Sequence, residues 1–322
     1  MKVLVTGISG YLASVVTPRL LGDDEVEEVR GVDLQYPQSI DTTNSKLVFI
    51  KKDVRALDIV DSFSGIDVLF HFAFIVTPNV PYDEIDSINI EGSKNIFNAA
   101  AKAGVKHILY TSSIAAYGAD PTHKLPLKED SPLKPNEDWY YSRAKGAVER
   151  FLNEFEQKYP DIKVTRFRPA IFLGPNIDNQ FGTLLRSPVI MDLGYDAKIE
   201  WVWDQDVADA IYLAFEKGKT GIYNLGGENP LTWKEIAEVT GKETVDIDLN
   251  SESGRELFSQ LLTAMDRGFV EWLDKPVKYP ILVDSSKARK ELGWQPKYDS
   301  AGAIKAFLSL EAETDGQTTS NR

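Results

Sequence analysis

The sequence predicts an α/β protein built on a parallel, doubly wound sheet, with a smaller C-terminal α/β region beside it. Three observations carry this. Short Val/Leu/Ile-rich runs with little polar alternation recur along the first half of the chain, as expected of parallel strands buried on both faces. Helical patterns separate them at the pitch of strand–crossover–strand units, whose connections should be right-handed. A glycine turn joins the first strand directly to the first helix. At 322 residues the chain can form one large unit or two joined domains around a sizeable core.

Composition narrows the chemistry. There is no cysteine, so disulfides, thiolate metal sites and a Cys nucleophile are excluded. His71, His107 and His123 are the only histidines and are not clustered, so no metal site is expected. A formal charge of -13 argues against a nucleic-acid surface. No apolar run is long enough to span a bilayer, and the opening MKVLVTG enters a strand with no signal pattern before it, so a cytoplasmic protein without a membrane partner is expected.

Lys2 to Thr6 form the first strand. Gly7-Ile-Ser-Gly10-Tyr-Leu-Ala13 follows, then a periodic helix from Val15 to Leu21. In that context Gly7 allows the tight turn, Gly10 lets backbone approach a pyrophosphate, and Ala13 permits close helix–strand packing. The helix N-terminus then faces the phosphates. Alone, the pattern reads equally as an ordinary βα turn. The strand from Val29 to Leu34 separates the two readings, because Asp33 stands near its end, roughly 20 residues past the turn, where a carboxylate accepts both ribose hydroxyls. Such a carboxylate repels a 2′-phosphate, and Leu34 brings no compensating arginine, so NAD is expected rather than NADP. The sheet is therefore expected to be Rossmann-type, with Gly7, Ser9, Gly10, Tyr11, Leu12 and Asp33 at the cofactor.

Lys46 to Ile50 form a third strand leading to Asp53 and Val54, placed to bracket an adenine edge. Asp67 to Phe74 form a fourth, running out at Phe72, Ala73 and Phe74, where a cofactor can pass the small residue. Asn89 to Gly104 read as a helix with Ile90, Ile96, Phe97 and Ala100 on one stripe. His107 to Thr111 form the fifth strand, ending at Thr111-Ser112-Ser113, and ligands of such sheets lie beyond the carboxyl ends of the strands. His71, inside an apolar strand, reads as a satisfied core histidine.

A polar, Pro-rich loop from Gly118 to Pro135 leads to Tyr141-Ser-Arg-Ala-Lys145. On a helix, Tyr141 and Lys145 share a face. A free phenol has a pKa of about 10, so work as a base near neutrality requires lowering it by roughly three units, or about 4 kcal/mol. A Lys145 cation and a positively charged nicotinamide are the candidate sources. The spacing is common on solvated helices and takes its weight from the residues around it. Ser113 can bond a substrate oxygen while Tyr141 exchanges its proton.

Lys163 to Arg168 form a sixth strand ending in Pro169, with Gly174-Pro175 shortly after. From Asn176 the alternation weakens, and a smaller region over the cleft is expected. It holds a strand at Trp201 to Trp203, a helix from Asp206 to Glu216 and a strand from Gly221 to Leu225. A capping box at Thr232 to Glu235 opens a helix, a short helix ends near Gly293, and a last one runs from about Ser300 to Leu310. Residues 243–280 carry no readable motif, and the polar tail 311–322 is expected to be disordered. The division expected is residues 1–175 as the NAD-binding domain, with 200–227 returning to it, and 176–310 mainly substrate-binding.

These pieces, in this order, resemble the extended short-chain dehydrogenase/reductases, specifically the NAD-dependent epimerase/dehydratase group. The matching elements are Thr6-Gly-x-x-Gly-x-x-Ala13, Asp33, Asp53-Val54, His71-x-Ala73, Asn89-x-x-Gly92, Thr111-Ser-Ser113, Tyr117-Gly118, Tyr141-x-x-x-Lys145, Arg168-Pro169 and Gly174-Pro175, then Asp206-Val-Ala, Tyr223 to Gly227 and Leu292-Gly-Trp294. The resemblance implies an enzyme in which Tyr141 is the acid/base, Lys145 holds the nicotinamide ribose and lowers the Tyr pKa, and Ser113 orients the reacting oxygen. It extends the cofactor contacts to Asp53, Val54, Phe72, Ala73, Phe74, Asn89, Thr111, Ser112, Tyr141, Lys145, Pro169 and Ile171, and implies a homodimer. Two positions depart from the nucleotide-sugar members: Ile171 stands where they carry an Asn, and Ile199 where they carry an Arg. A buried phosphate without partners is costly, which disfavours a sugar nucleotide unless Arg186, Arg255 or Arg267 compensates. A dehydratase is disfavoured because Ile114-Ala115, not an Asp-Glu pair, follows Ser113. The expected function is NAD(H)-dependent hydride transfer at a secondary alcohol or ketone carbon of a small hydroxyl/keto substrate. A nucleoside-diphosphate-sugar 4-epimerase is the alternative, and a non-catalytic NAD-binding sensor the alternative of another class.

Overall fold

The computed structural model describes residues 1–319 apart from 77–79, 178, 249–250 and 264–266. In chain order, β1 (Lys2–Thr6) enters α1 (Tyr11–Gly22), followed by β2 (Glu28–Asp33), β3 (Leu47–Lys51) and β4 (Val68–His71). Next come α2 (Tyr82–Asp86), a π-helical turn over Ser87–Gly92 and α3 (Ser93–Ala103). Then follow β5 (His107–Thr111), α4 (Tyr140–Lys158), β6 (Lys163–Pro169), β7 (Ile171–Leu173), α5 (Gln180–Arg186), β8 (Val189–Asp192), β9 (Trp201–Trp203), α6 (Asp204–Glu216) and β10 (Gly221–Leu225). The chain closes with α7 (Trp233–Thr240), β11 (Glu243–Asp246), α8 (Glu252–Thr263), α9 (Arg267–Asp274), α10 (Ser286–Leu292) and α11 (Ser300–Thr319).

Among these residues a seven-stranded sheet runs in the order β10-β6-β5-β4-β1-β2-β3, every pairing parallel. The expected doubly wound sheet is present. Val3 and Val5 belong to one apolar cluster, with α1 and α6, while Leu4 belongs to the other, with α3 and α4. Successive strand residues thus feed two cores, which explains the missing polar alternation. The winding reverses between β1 and β4, and the strand ends part there, the place where ligands of such sheets bind.

Several boundaries differ from the sequence reading. β4 stops at His71 instead of Phe74, because β1 ends at Thr6 and offers its last carbonyl to Phe72 N at 3.1 Å. The helix expected from Asn89 starts at Tyr82, where Asp83 and Glu84 favour a helix N-terminus and Ile85 is buried. α6 likewise starts at Asp204, with Asp204 and Asp206 in its first turn. α11 spans Ser300–Thr319 where the sequence reading ends its last helix near Leu310; residues 320–322 of the expected tail lie outside the described residues. His71 is the satisfied core residue expected, bonded to Thr6 Oγ1 at 2.6 Å and Ser93 Oγ at 2.8 Å. Burial drives its pKa down to about 3.

β7 and β9 form one small parallel pair, β8 and β11 another. The Thr232–Glu235 capping box opens α7. The previously unreadable stretch contains β11, α8 and α9; every residue of β11 is exposed, so no apolar pattern marks it.

Candidate active site

The glycine turn is shaped by what touches it. Gly7 has φ +71°, and a Cβ there would come within 2.6 Å of Ala73 N. Gly10 N bonds Gly7 O at 2.9 Å and stands before α1 without any side-chain cap, leaving the first amides of the helix to a ligand. The Asp33 carboxylate lies against the turn: Oδ2 accepts from Ser9 N at 3.1 Å, and Oδ1 from Leu34 N at 2.7 Å and Gln35 N at 3.1 Å. A cradle of bare glycine backbone, an uncapped helix and an adjacent carboxylate fits a dinucleotide.

Other predicted contacts have prior commitments. The Asp53 carboxylate is held by Arg55 at 2.6 Å, and Val54 is buried where a Cβ on Gly92 would meet its Cγ2 at 2.6 Å. Asn89 is wholly buried and pins the chain after β4, with Oδ1 accepting from Ile75 N at 2.7 Å and Nδ2 donating to Ile75 O at 2.9 Å. Leu12 packs against the core. The Tyr11 side chain leaves the turn, stacks on Phe172 with ring centroids 5.9 Å apart and donates to Asp204 Oδ2 at 2.6 Å. Gly174 fits beneath that contact because any Cβ would collide with both the Tyr11 hydroxyl and the Asp204 carboxylate. Sequence reasoning missed Asp204.

Ser113, Tyr141 and Lys145 converge. Ser113 starts the helical turn Ile114–Tyr117, its Oγ accepting from Ala115 N at 3.1 Å. Ser142 ties α4 to this turn, donating to Ala115 O at 2.7 Å and accepting from Asn136 N at 3.0 Å. Tyr141 is thereby set beside Ser113 in the wall of one cavity, and Ser113 pulls the pKa of the phenol down. One turn further, the buried Lys145 donates to Thr111 O at 2.8 Å. Its Nζ lies 3.5 Å from the centroid of the Phe74 ring. Phe74 also meets Tyr141 edge-on at 5.7 Å. Ser112 N bonds Phe167 O at 2.7 Å, Pro169 pairs with Leu225, and Ala170 N bonds Leu225 O at 2.9 Å.

In the polypeptide alone, burial pushes the phenol up to about 12, against the smaller pull of Ser113, and drives Lys145 down to about 7. Desolvation disfavours both charged forms and is the largest cause of each shift. Glu149, two turns beyond Tyr141 on α4, raises Lys145. Burial works against Glu149's charge, but Arg168 at 2.8 Å and Arg166 at 2.9 Å hold its pKa down to about 2. The i, i+4, i+8 series Tyr141, Lys145, Glu149 was visible in the sequence and passed unnoticed.

Tyr141 and Ser113 open onto a cavity of about 420 Å³, faced by Ala170, Phe172, Phe181, Trp139, Trp272 and Ile281 among others. Ile171 and Ile199, the two departures, are both in its wall. Among the described lining residues only Lys198 and Glu200 are of charged type. The Lys198 side chain is 46% exposed at the rim. Arg186 and Arg255 are not in the wall; Arg186 donates to Ile177 O at 3.1 Å, and the Arg267 side chain lies outside the described residues. Glu271 of α9 holds the start of α4, accepting from Tyr140 N at 2.9 Å and from the Tyr82 hydroxyl at 2.5 Å.

Residues 3–226 match the NAD dependent epimerase/dehydratase family. The chain belongs to that family. This epimerase/dehydratase-family protein is 28% identical to a UDP-glucose 4-epimerase of Mycolicibacterium smegmatis over 94% of this chain and 96% of that one. It is 27% identical to a dTDP-D-glucose 4,6-dehydratase of Mus musculus over 94% and 86%. The crystal structure of a UDP-glucose 4-epimerase with UDP-glucose from Thermotoga maritima covers 98% of this chain and 99% of its own, with a TM-score of 0.75 at 24% identity. The protein is an NAD-dependent enzyme of the extended short-chain dehydrogenase/reductase type. No described helix is long and apolar enough to cross a membrane.

Proposed function

We propose that the enzyme moves hydride at a secondary alcohol or ketone carbon of a small hydroxyl/keto compound with a largely apolar body. The convergence of Ser113 and Tyr141 on an apolar cavity, with Lys145 buried behind them, carries this reading. Gly7, Gly10 and the α1 N-terminus would hold the pyrophosphate and Asp33 the adenosine ribose. Thr111, Lys145, Phe74 and Pro169 would border the nicotinamide end. NAD, when bound, supplies the hydride acceptor and a positive ring beside the phenol. Tyr141 takes the hydroxyl proton in oxidation and returns it in reduction, Ser113 holds the same oxygen in line, and the Lys145 ammonium favours the phenolate. Residues 176–310 form the substrate side, and the reading carries a cytoplasmic homodimer with it.

A nucleoside-diphosphate-sugar 4-epimerase is the second reading, favoured by the relatives above. Against it stand Ile171 and Ile199 in the wall, where diphosphate partners would be needed. A melting-temperature screen of the NAD-loaded protein separates them, since a bound ligand raises the midpoint by mass action. Stabilisation by cyclic alcohols and ketones supports the first reading; stabilisation only by UDP- or dTDP-sugars replaces it with the second. A non-catalytic sensor would show NAD binding without turnover of any substrate.

A further inference from the structure

Glu200 has no part in the proton and hydride transfers, yet it stands in the wall of the same cavity. It is 5% exposed. Both carboxyl oxygens share one donor, Val283 N, each at 3.2 Å, and no cation is paired with the group among the described residues. Gly226 leaves it room: a Cβ there would come within 2.6 Å of Glu200 Oε2. The residues packed on the carboxyl, Val283 and Gly226, do not titrate. Of its charged neighbours along the chain, Lys198 faces Glu235 at 3.8 Å and Asp284 accepts from Ser286 N at 2.8 Å. Burial raises the Glu200 pKa to about 8, so near neutrality the side chain is a neutral acid with one O–H to donate. Among the described residues its one partner, Val283 N, is itself a donor and cannot receive that hydrogen. A desolvated donor without an acceptor calls for an explanation, and the apolar cavity beside it supplies one.

We propose that Glu200 determines specificity by donating a hydrogen bond to a second, uncharged oxygen of the substrate, a carbonyl or hydroxyl remote from the carbon that exchanges hydride. The substrate class is then an apolar-bodied compound with two oxygen functions, one for Tyr141 and Ser113 and one for Glu200. Anionic groups at that second position are rejected as Glu200 ionises. The proposal rests on the hydroxyl/keto reading above.

Trp139 and Trp272 line the cavity, so indole fluorescence of the full-length, NAD-saturated protein reports binding there. The probes are α-tetralol and 4-hydroxy-α-tetralone, which share the alcohol and differ by one carbonyl across the ring. Wild type should bind the hydroxytetralone about tenfold more tightly near pH 7, the worth of one net hydrogen bond. That preference should vanish at about pH 9.5, where Glu200 is ionised. Titration of Tyr141 or Lys145 acts on the shared alcohol and cancels in the ratio. Glu200→Gln keeps an N–H donor and should keep the preference at both pH values, while Glu200→Leu, checked for an intact melting transition, should abolish it. Both probes binding equally well to wild type overturns the role of Glu200 and leaves the apolar hydroxyl/keto cavity standing. A preference that survives alkaline pH or Glu200→Leu does the same. Neither probe binding, while NAD binds, overturns both.

Discussion

Asp33 illustrates how far one residue determines a property of the site. Its carboxylate, fixed by three backbone amides, faces the place where a ribose 2′ position would lie. Asp33→Ala should narrow the preference for NAD over NADP by at least about tenfold, since the repelled charge is gone; equal discrimination by calorimetry would place the ribose elsewhere. The same scale shows what spacing leaves unread. Tyr141, Lys145 and Ser113 were legible because their types and order are restrictive in combination. The direction of the Tyr141 and Lys145 pKa shifts was not, because desolvation depends on Phe74 and on the cavity walls, which come from distant segments. Glu200 was unreadable for the same reason: in the sequence it is one acid between Ile199 and Trp201, and only the fold encloses it.

At the level of elements, the strand–turn–helix at the start of the chain is the most constrained unit. Gly7→Ala meets a positive φ and a backbone contact of 2.6 Å at once. Gly241→Ala has a similar φ of +67° but nothing within 4 Å of its Cβ. The second substitution should cost about 1 kcal/mol, the ordinary left-handed penalty. The first should cost clearly more and also abolish NAD binding. Equal losses in urea midpoints, with binding retained, would show that the turn can yield. Local signals of this kind, a glycine turn, a capping box or an amphipathic stripe, were readable in the chain. The π-helical turn at Ser87–Gly92 was not, since it depends on Asn89 reaching Ile75 and on Gly92 meeting Val54. Nor was β11, whose partner β8 lies some fifty residues away and whose residues are all exposed.

Across the whole molecule, buried ionisable groups set opposing responses to pH. Glu149 is lowered from 4.5 to about 2 and His71 from 6.5 to about 3. Their contributions are complete above those unfolded values and are lost as pH falls through the folded ones. For Glu149 this amounts to about 3 kcal/mol. Cooperative acid unfolding should therefore set in below about pH 5. Glu200 is raised from 4.5 to about 8, so its contribution is present below pH 4.5 and lost as pH rises through 8. Glu200→Gln should accordingly match wild type near pH 4 and exceed it by about 2 to 5 kcal/mol near pH 9, read from urea midpoints. A wild type at least as stable as the variant at pH 9 would mean that the carboxylate is solvated or paired.

All of these properties serve one claim, that Tyr141 is the proton-transferring group of a hydride-transfer site. The direct measurement is NADH absorbance on mixing NAD and a stabilising secondary alcohol with wild type and with Tyr141→Phe, NAD affinity being checked by calorimetry. Equal NAD binding is expected, with a rate at least about a thousandfold lower in the variant. Turnover by Tyr141→Phe at the wild-type rate would contradict that claim.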